Sequence, residues 1–171
     1  MTGIAAKAGY LAIIWHSRTG AARALAQAVE EGARRALAEG EVRRIAAPDT
    51  RADDLLGAAG IVFVCPENLG GMTGPMKDMF ERTYYEVLGR IEGRAYATVI
   101  AAGSDGSGAQ REIDRIVTGW RLKRIADPII ANQHAQSVRE IAAPKVVDNR
   151  QLDIARNLGE AFGTGLGLGV F

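Results

Sequence analysis

The sequence predicts an α/β domain with a parallel sheet covered on both faces, and three observations predict it. Short apolar runs without polar alternation mark strands buried on two sides. Segments with apolar residues at helical spacing, and charged residues between them, separate these runs. The strand–helix alternation occurs five times, as successive right-handed crossovers require.

The elements follow in order. Gly9-Tyr10-Leu11-Ala12-Ile13-Ile14-Trp15 is the first strand, broken at His16-Ser17-Arg18-Thr19-Gly20. Leu25, Ala28, Val29, Gly32, Ala33, Ala36 and Leu37 form the apolar stripe of the first helix. A short strand is expected over 41–46. Thr50-Arg51-Ala52-Asp53 resembles a capping box with Asp in place of Glu and opens a short helix through Leu56. Ile61-Val62-Phe63-Val64-Cys65 is a β-branched central strand, expected to end at Pro66. A loop is expected over 67–73, with Pro75 in the first turn of a helix that buries Met76, Met79, Phe80, Thr83 and Val87. The next strand covers 95–102 and closes at Gly103. Ile113, Ile116, Val117 and Trp120 mark a further helix, Ile129-Ile130-Ala131 a last strand, and Asp148 or Asn149 the cap of a C-terminal helix carrying Leu152, Ala155, Leu158 and Phe162.

The 171 residues (18.2 kDa) are read as one domain, 1–171, with 163–171 as a flexible or interface tail. Lys and Arg number 21 against 20 Asp and Glu, so the charge balance makes no electrostatic case for nucleic acid or an acidic membrane surface. A single cysteine, Cys65, leaves no internal disulfide and no cysteine-based zinc site, and two histidines leave little for a histidine-rich metal centre; no metal site is expected. No apolar stretch approaches the ~20 residues that span a bilayer. The N-terminus has Lys7 but no long apolar segment after it, so no signal peptide is expected and a reducing, cytoplasmic setting is the default.

In a sheet of this kind ligands bind beyond the carboxyl ends of the strands. Three loops there have unusual composition. Ser17, Arg18, Thr19, Gly20, Ala21 and Ala22 join the first strand to the first helix. Free amides and the helix dipole favour an anion there, and the two hydroxyls add donors. The plain alternative is helix capping by Thr19. It is not a P-loop, since the Gly-Lys-Ser/Thr ending is missing. The second loop is Pro66, Glu67, Asn68, Leu69, Gly70, Gly71 and Met72, followed by Thr73-Gly74-Pro75. Its backbone can bond the edge of a planar heterocycle, and Leu69 and Met72 offer apolar contact; the alternative is an ordinary strand–helix connection. The third is Gly103, Ser104, Asp105, Gly106, Ser107 and Gly108, where backbone can approach a ligand or Ser107 can cap a helix.

Together these residues resemble the flavodoxin-like superfamily, and within it the NAD(P)H-dependent FMN reductase or quinone oxidoreductase branch. His16-Ser17-Arg18-Thr19-Gly20 is similar to that family's phosphate loop, a hydroxyl, any residue, a hydroxyl and glycine. Pro66-Glu67-Asn68, with Gly74-Pro75-Met76-Lys77, resembles the branch's Pro-Glu-Tyr-Asn motif and its Pro-x-x-Leu-Lys sequel, and 103–108 falls where the second flavin-contacting loop lies. The resemblance covers about residues 9–135. It implies a flavodoxin-like three-layer sandwich with a five-stranded parallel sheet in the order 2-1-3-4-5. It implies FMN, with its phosphate on 17–22 and its ring between 66–72 and 103–108. NADPH or NADH as co-substrate, a small electron acceptor such as a quinone or free flavin, and a homodimer or homotetramer are further implications. No side chain is required as a catalytic acid or base, since the flavin carries the chemistry. A flavodoxin-type electron carrier without NAD(P)H turnover is the alternative, disfavoured by the near-neutral charge. Two departures stand out: Ala21-Ala22 where the family often has a hydroxyl, and no aromatic in Glu67-Asn68-Leu69.

The remaining signals are bland. Cys65 lacks an Arg six residues on and reads as an inert core thiol. His16 lines the site or merely ends the first strand. Arg111, Arg115, Arg121, Lys123 and Arg124 sit on and after one helix, where cations need no function, although a nicotinamide 2′-phosphate is a conceivable partner. Gly163-Thr164-Gly165-Leu166-Gly167-Leu168-Gly169 follows a helix rather than a strand and is not a dinucleotide fingerprint.

Overall fold

The structure, a computed structural model, describes residues 9–171; the first eight residues, where the absence of a signal peptide was expected, lie outside it. Its strands are β1 (Tyr10–Trp15), β2 (Val42–Ala46), β3 (Ala58–Asn68), β4 (Gly71–Met72), β5 (Ala95–Ala102), β6 (Lys123–Arg124) and β7 (Ile129–Asn132). Its helices are α1 (Ala21–Ala33), α2 (Ala52–Gly57), α3 (Gly74–Val87), α4 (Ser107–Gly119), α5 (Val138–Ala142) and α6 (Asn149–Gly167).

β1 pairs in parallel with β2 and β3, and β3 with β5. The far edge of β5 is shared: β6 takes its amino end (Ala95 beside Lys123) and β7 its carboxyl end (Val99 beside Ile129). The five principal strands therefore lie as expected, with two short ones added.

Adjacent residues of one strand enter opposite cores, which is why the strands read as continuous apolar runs. Leu11, Ile13, Val62 and Val64 pack under α1 and α6, whereas Ala12, Ile14, Ile61 and Phe63 pack under α3 and α4. Phe63, Phe80, Trp120 and Tyr84 form a chain of ring contacts on the second face, and the Trp120 indole donates to the Tyr84 carbonyl at 3.1 Å. α3 buries Met76, Met79, Phe80, Thr83 and Val87, the stripe read from the sequence.

Four expectations change. β3 does not stop at Pro66 but runs to Asn68, because Glu67 and Asn68 pair with Met72 and Gly71 in a tight antiparallel hairpin. Proline stands here at the strand's last parallel pairing, opposite Ala101, where loss of its donor disturbs little. The cap of α2 is Arg51, one residue later than expected: its N–H donates to the Asp54 carboxylate at 2.8 Å, and Thr50 turns inward to bond the Ala46 carbonyl. Residues 163–167, expected to open a tail, instead continue α6. Gly159 and Gly163 lie against the α1 backbone, and the Phe171 ring folds back on Gly165 and meets Phe162 edge-on at 5.6 Å. Finally, β4, β6 and α5, each of five residues or fewer, are additional elements.

Candidate functional site

At the carboxyl end of the sheet lies a cavity of about 420 Å3. Its floor is the end of β5 at Ala101, Ala102 and Gly103. Ser17, Arg18, Thr19, Ala21 and Ala22 form one wall, Pro66, Glu67 and Asn68 a second, and Gln133, Ala135, Val138, Ile141, Ala142 and Lys145 the third. A volume of that order is typical of small-molecule sites, roughly 300–1,000 Å3.

The first wall is built by one turn. β1 ends, and the Gly20 N–H donates to Ser17 Oγ at 3.1 Å. Gly20 has φ of +102°, a left-handed conformation that a side chain would strain, and it opens α1 with no side-chain cap. Thr19 therefore does not cap the helix; its carbonyl accepts from the Lys145 N–H at 2.7 Å. Among the described residues the amides of Ala21 and Ala22 donate no hydrogen bond, which leaves α1 a free amino-terminal donor set facing the end of β1. Ala21 and Ala22 are themselves buried against the core, so larger residues at this departure from the family pattern would have little room.

The second and third loops are locked to each other. The Glu67 carboxylate accepts from the Gly106 N–H at 2.9 Å and the Ala109 N–H at 3.0 Å, which places an anion on the amino end of α4. Glu112 reaches back from α4 to accept from the Met72 N–H at 2.7 Å. A Cβ at Gly108 would fall 1.9 Å from the Gly70 carbonyl, so the hairpin tip and the helix start approach as closely as backbone allows. Gly103 is covered by the chain at 133–135: Ala135 N–H donates to the Gly103 carbonyl at 2.9 Å, and Gln133 N–H to Ala102 at 2.7 Å.

The expected site residues thus divide. Ser17, Arg18, Thr19, Ala21, Ala22, Pro66, Glu67, Asn68 and Gly103 line the cavity, and Gly20 shapes its wall. Leu69, Gly70, Gly71, Met72, Ser104, Asp105, Gly106 and Gly108 do not. Leu69 is fully exposed at the hairpin tip, outside this lining, and Met72 is buried with Met76 in the core under α3, so Met72 does not supply the apolar contact expected of it. Asp105 and Ser107 bond each other at the surface. Two of the amides at the start of α4, those of Gly106 and Ala109, already serve Glu67 and are not free for a ligand.

The third wall was not foreseen. Ser137 and Glu140 form a capping box that starts α5, a signal present in the sequence as Ser-x-x-Glu. Lys145 holds the other end: its ammonium donates to the carbonyls of Glu140, Ile141 (3.1 Å) and Ala143 (2.6 Å).

His16 does not line the cavity. It is half-buried beside it, with its Nδ1 buried and without a partner. Burial, and then the Arg18 charge, hold its pKa below the ordinary 6.5. The folded chain then binds fewer protons at this ring than the unfolded chain does. That stabilising difference is complete above the unfolded value and is lost as pH falls from there through the folded pKa. His16→Gln is expected to flatten the melting temperature between about pH 7 and pH 5; an unchanged slope would assign the pH dependence elsewhere. Cys65 is buried, and burial pushes its thiol up to about 12, as an inert core residue requires. Arg124 pairs with Asp114, and Arg121 with Glu92 at 3.2 Å. With Lys123 they lie beside the amino end of β5, opposite the cavity, so they cannot serve a 2′-phosphate there. Among the described residues no three His, Cys, Asp or Glu side chains gather as a metal site, and no helix is long and apolar enough to cross a membrane.

No family model matches the chain. It is 30% identical over 110 residues to the flavodoxin of Aquifex aeolicus (strain VF5), covering 64% of this chain and 59% of that protein. It is 28% identical over 120 residues to an NAD(P)H dehydrogenase (quinone) of Acidithiobacillus ferrooxidans, covering 57% and 59%. The matches thus span less than two thirds of either relative. Among solved structures, an archaeal flavodoxin superposes with a TM-score of 0.72 at 18% identity, over 92% of this chain and 98% of that one. The WrbA-like flavodoxin of Agrobacterium tumefaciens gives 0.70 at 16% identity, over 92% and 97%. These likenesses establish a flavodoxin-like fold, and the resemblance to the flavodoxin-like superfamily holds in both sequence and fold.

Proposed function

We propose that this flavodoxin-like chain binds FMN in the cavity at the carboxyl end of its sheet and works as an NAD(P)H-dependent oxidoreductase. The observation that carries the reading is the free amide set at the start of α1, joined to the hydroxyls of Ser17 and Thr19 on one side of a ligand-sized cavity. That donor set fits a phosphate monoester: partial positive charge, several N–H donors and no carboxylate in the same turn.

The chain's residues divide the binding between them. Ser17 fixes the turn through Gly20, and Thr19 offers its hydroxyl. Arg18 adds a formal positive charge to the same wall. Asn68, whose side chain makes no hydrogen bond among the described residues, can meet the polar edge of a planar ring. Glu67 neutralises the start of α4, so that helix does not stabilise added negative charge on a ligand. Bound FMN would supply two-electron chemistry linking NAD(P)H to a quinone or free flavin, with the net balance that NAD(P)H, one solvent proton and the oxidised acceptor become NAD(P)+ and the two-electron-reduced acceptor. In this reading the chain is cytoplasmic and assembles as a homodimer or homotetramer.

The similarity to the Aquifex aeolicus flavodoxin favours a second reading, an electron carrier without NAD(P)H turnover. Titration of the purified chain with FMN, followed by quenching of flavin fluorescence, tests the first step and is expected to show saturable binding. Steady-state oxidation of NADPH and NADH with a quinone then separates the readings. Turnover supports the oxidoreductase, binding without turnover supports the carrier, and absence of binding removes both.

A further inference from the structure

The lining of the cavity lacks the aromatic side chain that would ordinarily cover a flat ring, and neither Leu69 nor Met72 belongs to it. Leu69 projects into solvent and Met72 is sealed in the core. Among the apolar residues that do line the cavity, six are alanines and one is proline; the two with branched aliphatic side chains are Val138 and Ile141, both from α5.

α5 is a peculiar element. Its five residues include none that is buried, and Val138 is 85% and Ile141 54% exposed. Core packing therefore does not explain why the chain forms a helix here. Instead it is pinned at both ends by polar contacts, the Ser137–Glu140 box and the Lys145 ammonium, and tied to the first wall by the Lys145 N–H on the Thr19 carbonyl. This local hydrogen bonding holds two uncovered aliphatic side chains on the lining of a cavity whose first wall carries the free amides of α1.

We infer that α5 is the apolar wall for the ring of the bound ligand: Val138 and Ile141 cover the tricycle of FMN while 17–22 hold its phosphate. This rests on the proposed function and goes beyond it, because it adds to the loops a ring contact from a segment that neither loop includes. The ring's burial of these two side chains is the driving force.

The test separates the two ends of the ligand. Binding of riboflavin and of FMN is measured by fluorescence quenching for the wild-type chain, for Val138→Ser with Ile141→Ser, and for Val138→Leu with Ile141→Leu. The serine pair is expected to weaken both ligands by the same factor, roughly tenfold, and the leucine pair to retain both. Because neither position touches the core, equal melting temperatures without ligand show that each variant folds. Hydrogen exchange provides a readout independent of affinity: the Ile141 and Ala143 amides, which close α5 on Ser137 and Arg139, are expected to exchange several-fold more slowly when FMN is present. Unchanged affinities in the serine pair, or unchanged exchange in α5 on binding, overturn the assignment and leave FMN binding intact. Failure of the wild-type chain to bind either flavin overturns both.

Discussion

Replacing Gly159 by alanine is expected to lower stability by about 3 kcal/mol, the upper part of the range for overpacking a tight contact. A Cβ at Gly159 would lie 2.0 Å from the Val29 carbonyl and 3.0 Å from the Ala33 nitrogen, both backbone atoms of α1. The reciprocal contact is as close: a Cβ at Gly32 would meet the Arg156 carbonyl at 1.9 Å. Backbone cannot rotate away as a side chain does, so α6 must move off α1 and uncover Leu158 and Phe162. For a domain of this size that corresponds to a fall of roughly 6–12 °C in melting temperature. Gly167→Ala is the internal control. It belongs to the same glycine-rich helix, yet its Cβ would meet the Leu37 side chain only at 4.0 Å. Alanine there is expected to be neutral or stabilising by a few tenths of a kcal/mol, through lower entropy of the unfolded chain. Thermal melts of both variants check the pair. Equal effects would show that the α1–α6 crossing is not set by backbone contact.

Thr19→Asp is expected to weaken FMN by roughly a hundredfold and riboflavin hardly at all. Thr19 lines the cavity in the turn that precedes the free amides of α1. A carboxylate about 5 Å from a phosphate monoester costs about 3 kcal/mol at an effective dielectric near 20, and 1.4 kcal/mol is tenfold in affinity. Riboflavin carries no phosphate and should not sense the change. The FMN penalty should also shrink with added salt, because the turn is only half-buried. Parallel titrations of the two flavins into both proteins measure it. Equal loss for both would mean that the variant deforms the cavity, and no loss would move the phosphate away from α1.

The legible parts of the site were those written in local chain geometry. Ser17-x-Thr19-Gly20 stands between an apolar run and an amphipathic stripe, so its place at a helix start follows from neighbours in sequence. Pro66, Glu67 and Asn68 were legible for the same reason, as the residues that leave a central strand. The roles within the second and third loops were not. Glu67 reads as a polar loop residue until α4, about forty residues later, is seen to present its amides to that carboxylate. Met72 reads as an apolar loop residue until β4 pairs with Glu67 and turns it into the core. α5 has five residues and no buried face, so the periodicity that reveals other helices is absent from it.

By itself the sequence determined the alternation of elements, the two-sided burial of the sheet and the free amides at the start of the first helix, because each depends on residue type within one or two turns of chain; the order of the principal strands came from the family resemblance. Only the tertiary structure decided which side chains face the cavity, that Glu67 occupies the start of α4, that the C-terminal glycines serve a helix crossing, and that a short helix closes the third wall. Those outcomes depend on segments between about 40 and 130 residues apart meeting at distances of a few ångströms, and no local pattern encodes such a meeting.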